Sequence, residues 1–306
     1  MKNFIVYSEE VKEAIYTQKP VVAFESTIIT FGLPYPDNLK VAAEVENIAR
    51  KNKAVPATIA IINGKIKVGL TQKDLEFLAD PANKKKIEKV SRHNYPIVLG
   101  QKKNGATTVA GTMMACAAAG IGVFVTGGIG GVHKGAPESF DISADLREFE
   151  KSKVAVVSSG VKSILDIKLT LEYLETSGVP IIGFDTEDFP AFYSRKSGFK
   201  VPNNIKKIKE LANVVDCSFK FCNSGILIAN PIPLKSELNS MKISKLVDEI
   251  LMNAAPEDIA GPKYTPYILN NLHSISKGKT LAANIALIKS NSEVGSKLAA
   301  ELSKLN

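Results

Sequence analysis

Along the chain, short apolar runs alternate with stretches in which apolar residues recur every three to four positions. The first pattern suits buried strands and the second amphipathic helices. Ser8 stands where a helix cap belongs, ahead of Val11, Ala14 and Ile15, which share one helical face. VVAF (21–24) reads as a four-residue strand. Asp37 or Asn38 opens the next helix, with Val41, Val45 and Ile48 on one side. ATIAII (57–62) is followed by Asn63-Gly64 and KIKVG, and an Asn-Gly pair between two β runs predicts a hairpin. Further strands are expected at PIVLG (96–100), GVFVT (122–126), VAVVSS (154–159), VPIIGF (179–184) and GILIAN (225–230). Helices are expected near 107–119, 141–151, 163–177 and 203–214. Beyond Pro233 only helices are expected, near 237–253, 264–275 and 279–303.

This alternation predicts an α/β fold, a three-layer α/β/α sandwich with a mixed, mostly parallel sheet and a helical C-terminal part. The hairpin makes part of the sheet antiparallel, unlike a pure Rossmann fold. No linker, repeat or low-complexity stretch divides the sequence, so residues 1–306 are expected to form a single domain.

Residues 104–132 carry no charge and are long enough for a membrane span. Eight glycines and several threonines interrupt them, so they read as a small-residue helix, a buried strand and a glycine loop. Cys116, Cys217 and Cys222 are too few and too scattered for a disulfide framework or a zinc ribbon. The N-terminus shows no apolar signal region, and a cytoplasmic protein with no membrane partner is expected. Net charge is +8, from 39 basic and 31 acidic residues. Apart from Arg50, Arg92, Arg147 and Arg195 the positive charge is lysine, spread along the chain. A nucleic-acid reader concentrates arginine on one face, so no nucleic-acid partner is expected. The excess charge suits an anionic small molecule instead.

Ligands of such sheets bind beyond the carboxyl ends of the strands. After VVAF stands Glu25, where partial desolvation raises a carboxyl pKa toward the range of a general acid. A capping or ion-paired glutamate is the plainer alternative. After GVFVT comes Gly127-Gly128-Ile129-Gly130-Gly131-Val132-His133, a loop whose glycines allow close backbone approach to a ligand. It fits neither GxGxxG nor GxxxxGK[ST], which counts against dinucleotides and nucleoside triphosphates. His133 is the histidine best placed for chemistry. Asp141 and Asp145, four apart at an expected helix start, could face one way and hold Mg²⁺ or Mn²⁺. They could equally serve the helix dipole. Lys162, after VAVVSS and between apolar residues, could be a carbonyl-attacking amine or could simply extend to water.

FESTIITFGLPYP, KVSRHNYPIVLG, KNGATTVAGTM, FVTGGIGGVHKGA, FDISADL, VKSILD, TLEYLETSGVPIIGF, PAFYSRKSGF and ANPIP occur in this order. The set resembles the pseudouridine-5′-phosphate glycosidases, a family also described as indigoidine-synthase-A-like, over residues 10 to 300. The resemblance implies cleavage of the carbon–carbon bond of pseudouridine 5′-phosphate to uracil and ribose 5-phosphate. It places the proton donor on Glu25, the lysine nucleophile on Lys162 and a manganese ligand on Asp141. Mg²⁺ or another divalent ion could stand in, one per subunit. Substrate contacts fall on Lys89, Val109, Thr126, His133, Ser143, Ala144, Asp145 and Asn284. A homotrimer is also implied. His93-Asn94 and Phe31 depart from the family pattern. The rival readings are a C–N nucleoside hydrolase, another sugar-phosphate enzyme such as a kinase, and a non-catalytic sugar-phosphate sensor.

Overall fold

The computed structural model describes residues 2–254 and 264–305. β1 (Ile5–Tyr7) leads to α1 (Glu9–Tyr16), whose N-terminus is capped as expected by the Ser8 hydroxyl, 3.3 Å from the Val11 amide it accepts from. β2 (Val21–Phe24) and α2 (Asp37–Lys51) lead to β3 (Val55–Ile62). Asn63 and Gly64, with φ of 50° and 70°, turn the chain directly into β4 (Lys65–Val68). Two left-handed residues in succession make a turn whose twist matches that of the flanking strands, so the pair does not splay.

α3 (Gln72–Ala79), β5 (Ile87–Val90), α4 (Tyr95–Gly100) and β6 (Asn104–Thr107) then precede α5 (Val109–Ala119) and β7 (Val123–Val125). The short segments β8 (Val132–His133), α6 (Ala136–Ser139) and α7 (Ala144–Phe149) come before β9 (Ala155–Ser158). β10 (Leu165–Asp166), α8 (Ile167–Thr176), β11 (Ile181–Phe184), β12 (Asn203–Ile205), α9 (Ile208–Phe221) and β13 (Ile226–Ala229) come next. α10 (Ser240–Met252), α11 (Tyr264–Ile275) and α12 (Lys279–Leu302) close the chain.

The main sheet is mixed and mostly parallel, in the order β1-β4-β3-β2-β7-β9-β13-β11-β12. The run from β3 through β2, β7, β9, β13 and β11 to β12 is parallel throughout. β4 and β6 both pair antiparallel with β3, and β5 lies parallel to β6. α12, flanked by α2 and α9, packs on β2, β7 and β9, while α5 with α7 covers the opposite face. The three layers and the helical C-terminal part are those the apolar pattern predicts. The continuous core joins residues from Val11 to Leu302. Among the described residues no helix is long and apolar enough to cross a membrane. The uncharged stretch 104–132 holds the expected helix, α5, and strand, β7, and also a strand not expected there, β6.

Three expectations are corrected. PIVLG is not a strand but most of α4, with Tyr95 and Val98 buried three residues apart. Pro96 sits in its first turn, where a missing N–H costs nothing, and a short apolar run alone does not separate strand from helix. The strand of this region is IEKV just upstream. The helix near 107–119 starts only at Val109, because NGAT pairs with β3 and β5. The helix near 203–214 is preceded by β12 and runs on to Phe221.

α12 approaches the sheet most closely at Gly295, where a Cβ would lie 2.2 Å from Val125 Cγ2. Val125 is a branched residue in a central strand and has nowhere to go. Gly295→Ala therefore forces the helix off the sheet, at a cost of about 1–3 kcal/mol for overpacking against about 1 kcal/mol of gained helix propensity. A lower urea midpoint with unchanged slope is the expected result; an unchanged or higher midpoint would contradict this packing.

Candidate active site

β2, β7 and β9 are parallel neighbours, so their carboxyl ends open on one edge. Glu25 follows β2, Thr126 and the glycine loop follow β7, and Ser159 to Lys162 follow β9. β6 brings in a second group because it runs against β3. Its last residue, Thr107, returns to β2, where its amide donates to Ser26 Oγ at 2.9 Å and its hydroxyl to the Ile59 carbonyl at 2.9 Å. β5 lies in register beside β6, Lys89 opposite Ala106, and so delivers Lys89 to the same edge. α12 supplies Asn284 from the remaining side.

Glu25 is 6% exposed. Its two carboxyl oxygens accept from the hydroxyls of Thr126 and Thr27. Burial holds this carboxyl above the usual carboxylate range, against the opposing pull of Lys162 and of both hydroxyls. A carboxyl that retains its proton at higher pH than usual is what a proton donor needs. Lys89 is pushed the other way. Burial, and then the charge of Lys162, hold its amine below the usual lysine range, while Asp145 and Glu25 pull it back.

The glycine loop is shaped chiefly by its protein neighbours. A Cβ on Gly128 would meet the Phe192 ring at 2.5 Å, one on Gly130 would meet Ser143 Oγ at 2.2 Å, and one on Gly131 would meet Thr170 Oγ1 at 2.4 Å. The loop is tied down by Asp145, whose carboxylate oxygens accept from the Gly130 amide at 2.8 Å and the Ala110 amide at 2.9 Å. One buried carboxylate thus clamps the glycine loop to the start of α5.

This geometry corrects the expected pairing of Asp141 with Asp145. The helix begins only at Ala144, with Ser143 as its cap, so the two residues do not share a helical face. Asp141 lies in the extended segment before it and meets His133 instead, Oδ2 to Nδ1 at 3.5 Å. Burial lowers the His133 imidazole below its usual range; Asp141 opposes this, and Lys162 and Lys89 add to it. Among the described residues no group of three or more histidines, cysteines, aspartates or glutamates could hold a metal ion. One half-exposed carboxylate facing an open cavity fits a hard divalent ion that keeps most of its waters, and does not fit a closed protein cage.

Two cavities meet at Glu25, Thr27, Lys89 and Lys162. The larger, about 290 Å³, is lined mostly by polar and charged residues, and Val109, His133, Asp141 and the Ser143-Ala144-Asp145 stretch border it. The smaller, about 70 Å³, lies between Ile28, Phe31 and Phe192. Asn284 lines it with Oδ1 buried and, among the described residues, without a hydrogen-bond partner. The structure thus brings all the sequence-derived candidates to one edge. Thr126 stands apart, because it is fully buried and its hydroxyl is turned to Glu25 rather than to either cavity. Ser26 and Asn291 are not legible in the sequence as part of the site. Ser26 stands beside Glu25 just past VVAF, but its partner, the Thr107 amide, is distant in sequence; Asn291 follows no apolar strand and bonds the distant Thr126 and Gly127 carbonyls.

The family model described as "Indigoidine synthase A like protein" matches residues 10–301. The chain is 50% identical to the pseudouridine-5′-phosphate glycosidase of Brachyspira hyodysenteriae, over 100% of this chain and 99% of that protein. It is 51% identical to the enzyme of the same name from Geobacillus kaustophilus, over 99% of this chain and 100% of that one. Among solved structures, the prealnumycin C-glycosynthase AlnA in complex with ribulose 5-phosphate superposes with a TM-score of 0.90. It is 36% identical, covering 99% of this chain and 98% of its own. An indigoidine synthase A-like protein from Thermotoga maritima gives 0.88 at 34% identity, covering 98% and 97%.

Because the folded state favours the protonated Glu25, its charge opposes folding once the pH exceeds the unfolded value of 4.5. Glu25→Gln removes that charge with little change of shape. The variant is expected to melt above the parent at pH 7 to 8, with the difference shrinking as the pH falls toward 4.5. A pH series of thermal melts reads this directly, and a variant less stable at pH 8 would refute the buried charge.

Proposed function

The chain belongs to the indigoidine synthase A like family, and from that premise we propose that it is a pseudouridine-5′-phosphate glycosidase. The observation that carries the reading is the placement of Glu25 and Lys162 together, where a polar cavity meets an apolar one. The polar cavity, with Lys89 and His133, suits the sugar phosphate. The slot between Ile28, Phe31 and Phe192 suits the flat uracil ring, whose N–H groups can satisfy Asn284 Oδ1, a buried atom with no hydrogen-bond partner among the described residues.

The bond to be broken joins ribose C1′ to uracil C5. Protonating a leaving oxygen or nitrogen, the route of two-carboxylate glycosidases, does not cleave it. Glu25 donates its proton to the ribose ring oxygen as the C1′–O bond breaks, and the Lys162 amine bonds to C1′. C5 takes up a proton. The lysine nitrogen lone pair then forms a C1′=N iminium while the C1′–C5 pair remains with uracil, which leaves. Water adds to C1′, the C–N bond breaks, and ribose 5-phosphate is released with Lys162 regenerated. Atoms balance as substrate plus water to uracil plus ribose 5-phosphate, and the reverse sequence joins the same two products.

Asp141 would hold a hydrated divalent ion, Mn²⁺ in this reading, beside His133; the ion supplies positive charge and ordered water to the sugar-phosphate side. Burial of Glu25 keeps its proton available, and the Thr27 and Thr126 hydroxyls steady the carboxylate once that proton has gone. The proposed protein is cytoplasmic, with a homotrimer as its assembly.

The test is borohydride trapping of the Mn²⁺-loaded protein with ribose 5-phosphate, read by peptide mass spectrometry, alongside uracil release from pseudouridine 5′-phosphate. A pentose-phosphate adduct on Lys162 is expected, with adduct and turnover both lost in Lys162→Ala. Uracil release without an adduct would remove Lys162 as nucleophile. Neither adduct nor release from the folded, metal-loaded protein would overturn the glycosidase reading.

A further inference from the structure

α12 carries two asparagines seven residues apart, both turned toward the strand ends. Asn284 borders the smaller cavity. Asn291 is fully buried and spends its whole amide on protein. Its Nδ2 donates to the Thr126 carbonyl at 2.8 Å and the Gly127 carbonyl at 3.3 Å. Its Oδ1 accepts from Asn230 Nδ2 at 2.9 Å and from Ser159 Oγ at 3.3 Å. An amide has two donors and two lone pairs, and all four are used here. One side chain thereby joins the ends of β7, β9 and β13.

The network leads to both reacting groups. Thr126 is pinned on both sides, its carbonyl by Asn291 and its amide by the Val157 carbonyl at 3.0 Å. That fixes the hydroxyl which donates to Glu25. On the other branch, the Ser159 amide donates to the Gly127 carbonyl at 2.9 Å. Next along the chain, the Ile129 amide donates to the Gly160 carbonyl at 3.0 Å and the Lys162 amide to the Ile129 carbonyl at 3.1 Å. We infer that Asn291 is a positioning residue that sets Glu25 and Lys162 relative to each other through Thr126 and Ser159. This rests on the reading of Glu25 as proton donor only for its effect on rate; its effect on the Glu25 carboxyl stands without it.

The four bonds need a side-chain amide, with two donors and two lone pairs, at this reach from the helix. Serine is too short, aspartate has no donor for the two carbonyls, and leucine has neither donor nor acceptor. The Thr126 hydroxyl stabilises the charged form of Glu25, so loosening Thr126 raises the Glu25 pKa further. Of the charged groups that face Glu25, Lys89 and Asp145 lie outside the network, while Lys162, loosened on the Ser159 branch, pulls less on the carboxyl and so raises it in the same direction. A proton donor is active only while protonated, so the alkaline limb of the rate profile moves up in pH.

The experiment compares the full-length parent, Asn291→Ser, Thr126→Val and the double variant. Two readouts are used: kcat and KM against pH, and a carbon-13 NMR titration of labelled glutamate carboxyls, which needs no turnover. Asn291→Ser should lower kcat about tenfold or more, the scale on which small misplacements act, with KM changed less than about threefold. The Glu25 titration should move upward, and the double variant should move by less than the sum of the two single shifts, because the Thr126 branch is shared. An unmoved Glu25 titration in Asn291→Ser overturns the inference, whatever happens to the rate. Should Asn291→Ser not fold, Asn230→Ala leaves Asn291 in place and frees one of its acceptor bonds. It should shift Glu25 in the same direction by less, and no shift there also overturns the inference. If the parent protein itself releases no uracil, the glycosidase reading fails, while the titration still decides the role of Asn291.

Discussion

Parallel pairing of β2, β7 and β9 is the constraint on which the site depends. Hydrogen bonding at this spacing forces three chain segments to end together, each emerging from a strand whose last three residues are buried. The residues just past each strand are therefore desolvated before any ligand arrives. That accounts for the raised Glu25 carboxyl without a special device at the residue itself. The antiparallel arm adds what a purely parallel sheet could not. β6, running back along β3, returns Thr107 to Ser26 and carries Lys89 along on β5. The hairpin at Asn63-Gly64 helps to hold β6, because the Asn63 amide donates to Asn104 Oδ1 at 2.8 Å and the Gly64 amide to the Lys103 carbonyl at 2.9 Å.

Much of this is legible in the amino-acid sequence. VVAF, GVFVT and VAVVSS are apolar on both faces, the mark of central parallel strands, so the residues after them, Glu25, the glycine loop and Lys162, stand out by position alone. β5 and β6 are not legible. IEKV and NGAT are short and partly polar, and only pairing, of NGAT with β3 and of IEKV with NGAT, makes them strands. The end of α12 misleads in the opposite way. SNSEVGS reads as a solvated surface, yet Asn291, Ser292, Gly295 and Ser296 are buried because the helix lies close against the sheet. Small polar residues are the ones that permit that approach, so a pattern built on apolar positions could not find the contact.

The balance of charge within the site is uneven. Lys89 and Lys162 face Glu25 and Asp145 while His133 faces Asp141, and Asp145 is already bonded to two backbone amides. Burial comes first in lowering Lys89 and His133, and neighbouring cations lower both further. An anion entering the polar cavity relieves that crowding and favours the protonated form of both groups. By linkage, protonation of either favours the anion equally. The net charge of +8 adds a weak long-range attraction, which salt screens; selectivity rests with the few buried groups.

The seal made by α12 has a consequence for how the molecule is assembled. A ribosome releases β2, β7, β9 and β13 well before the helix that packs on them. Until that helix arrives, the Thr126 and Gly127 carbonyls have no amide donor from Asn291, and Val125 presents bare apolar surface where Gly295 will later sit. The nascent chain holds Glu25 and Lys162 in order of synthesis but not in working geometry. Completion of the site is therefore a late folding event, coupled to closure of contacts that span more than a hundred and fifty residues.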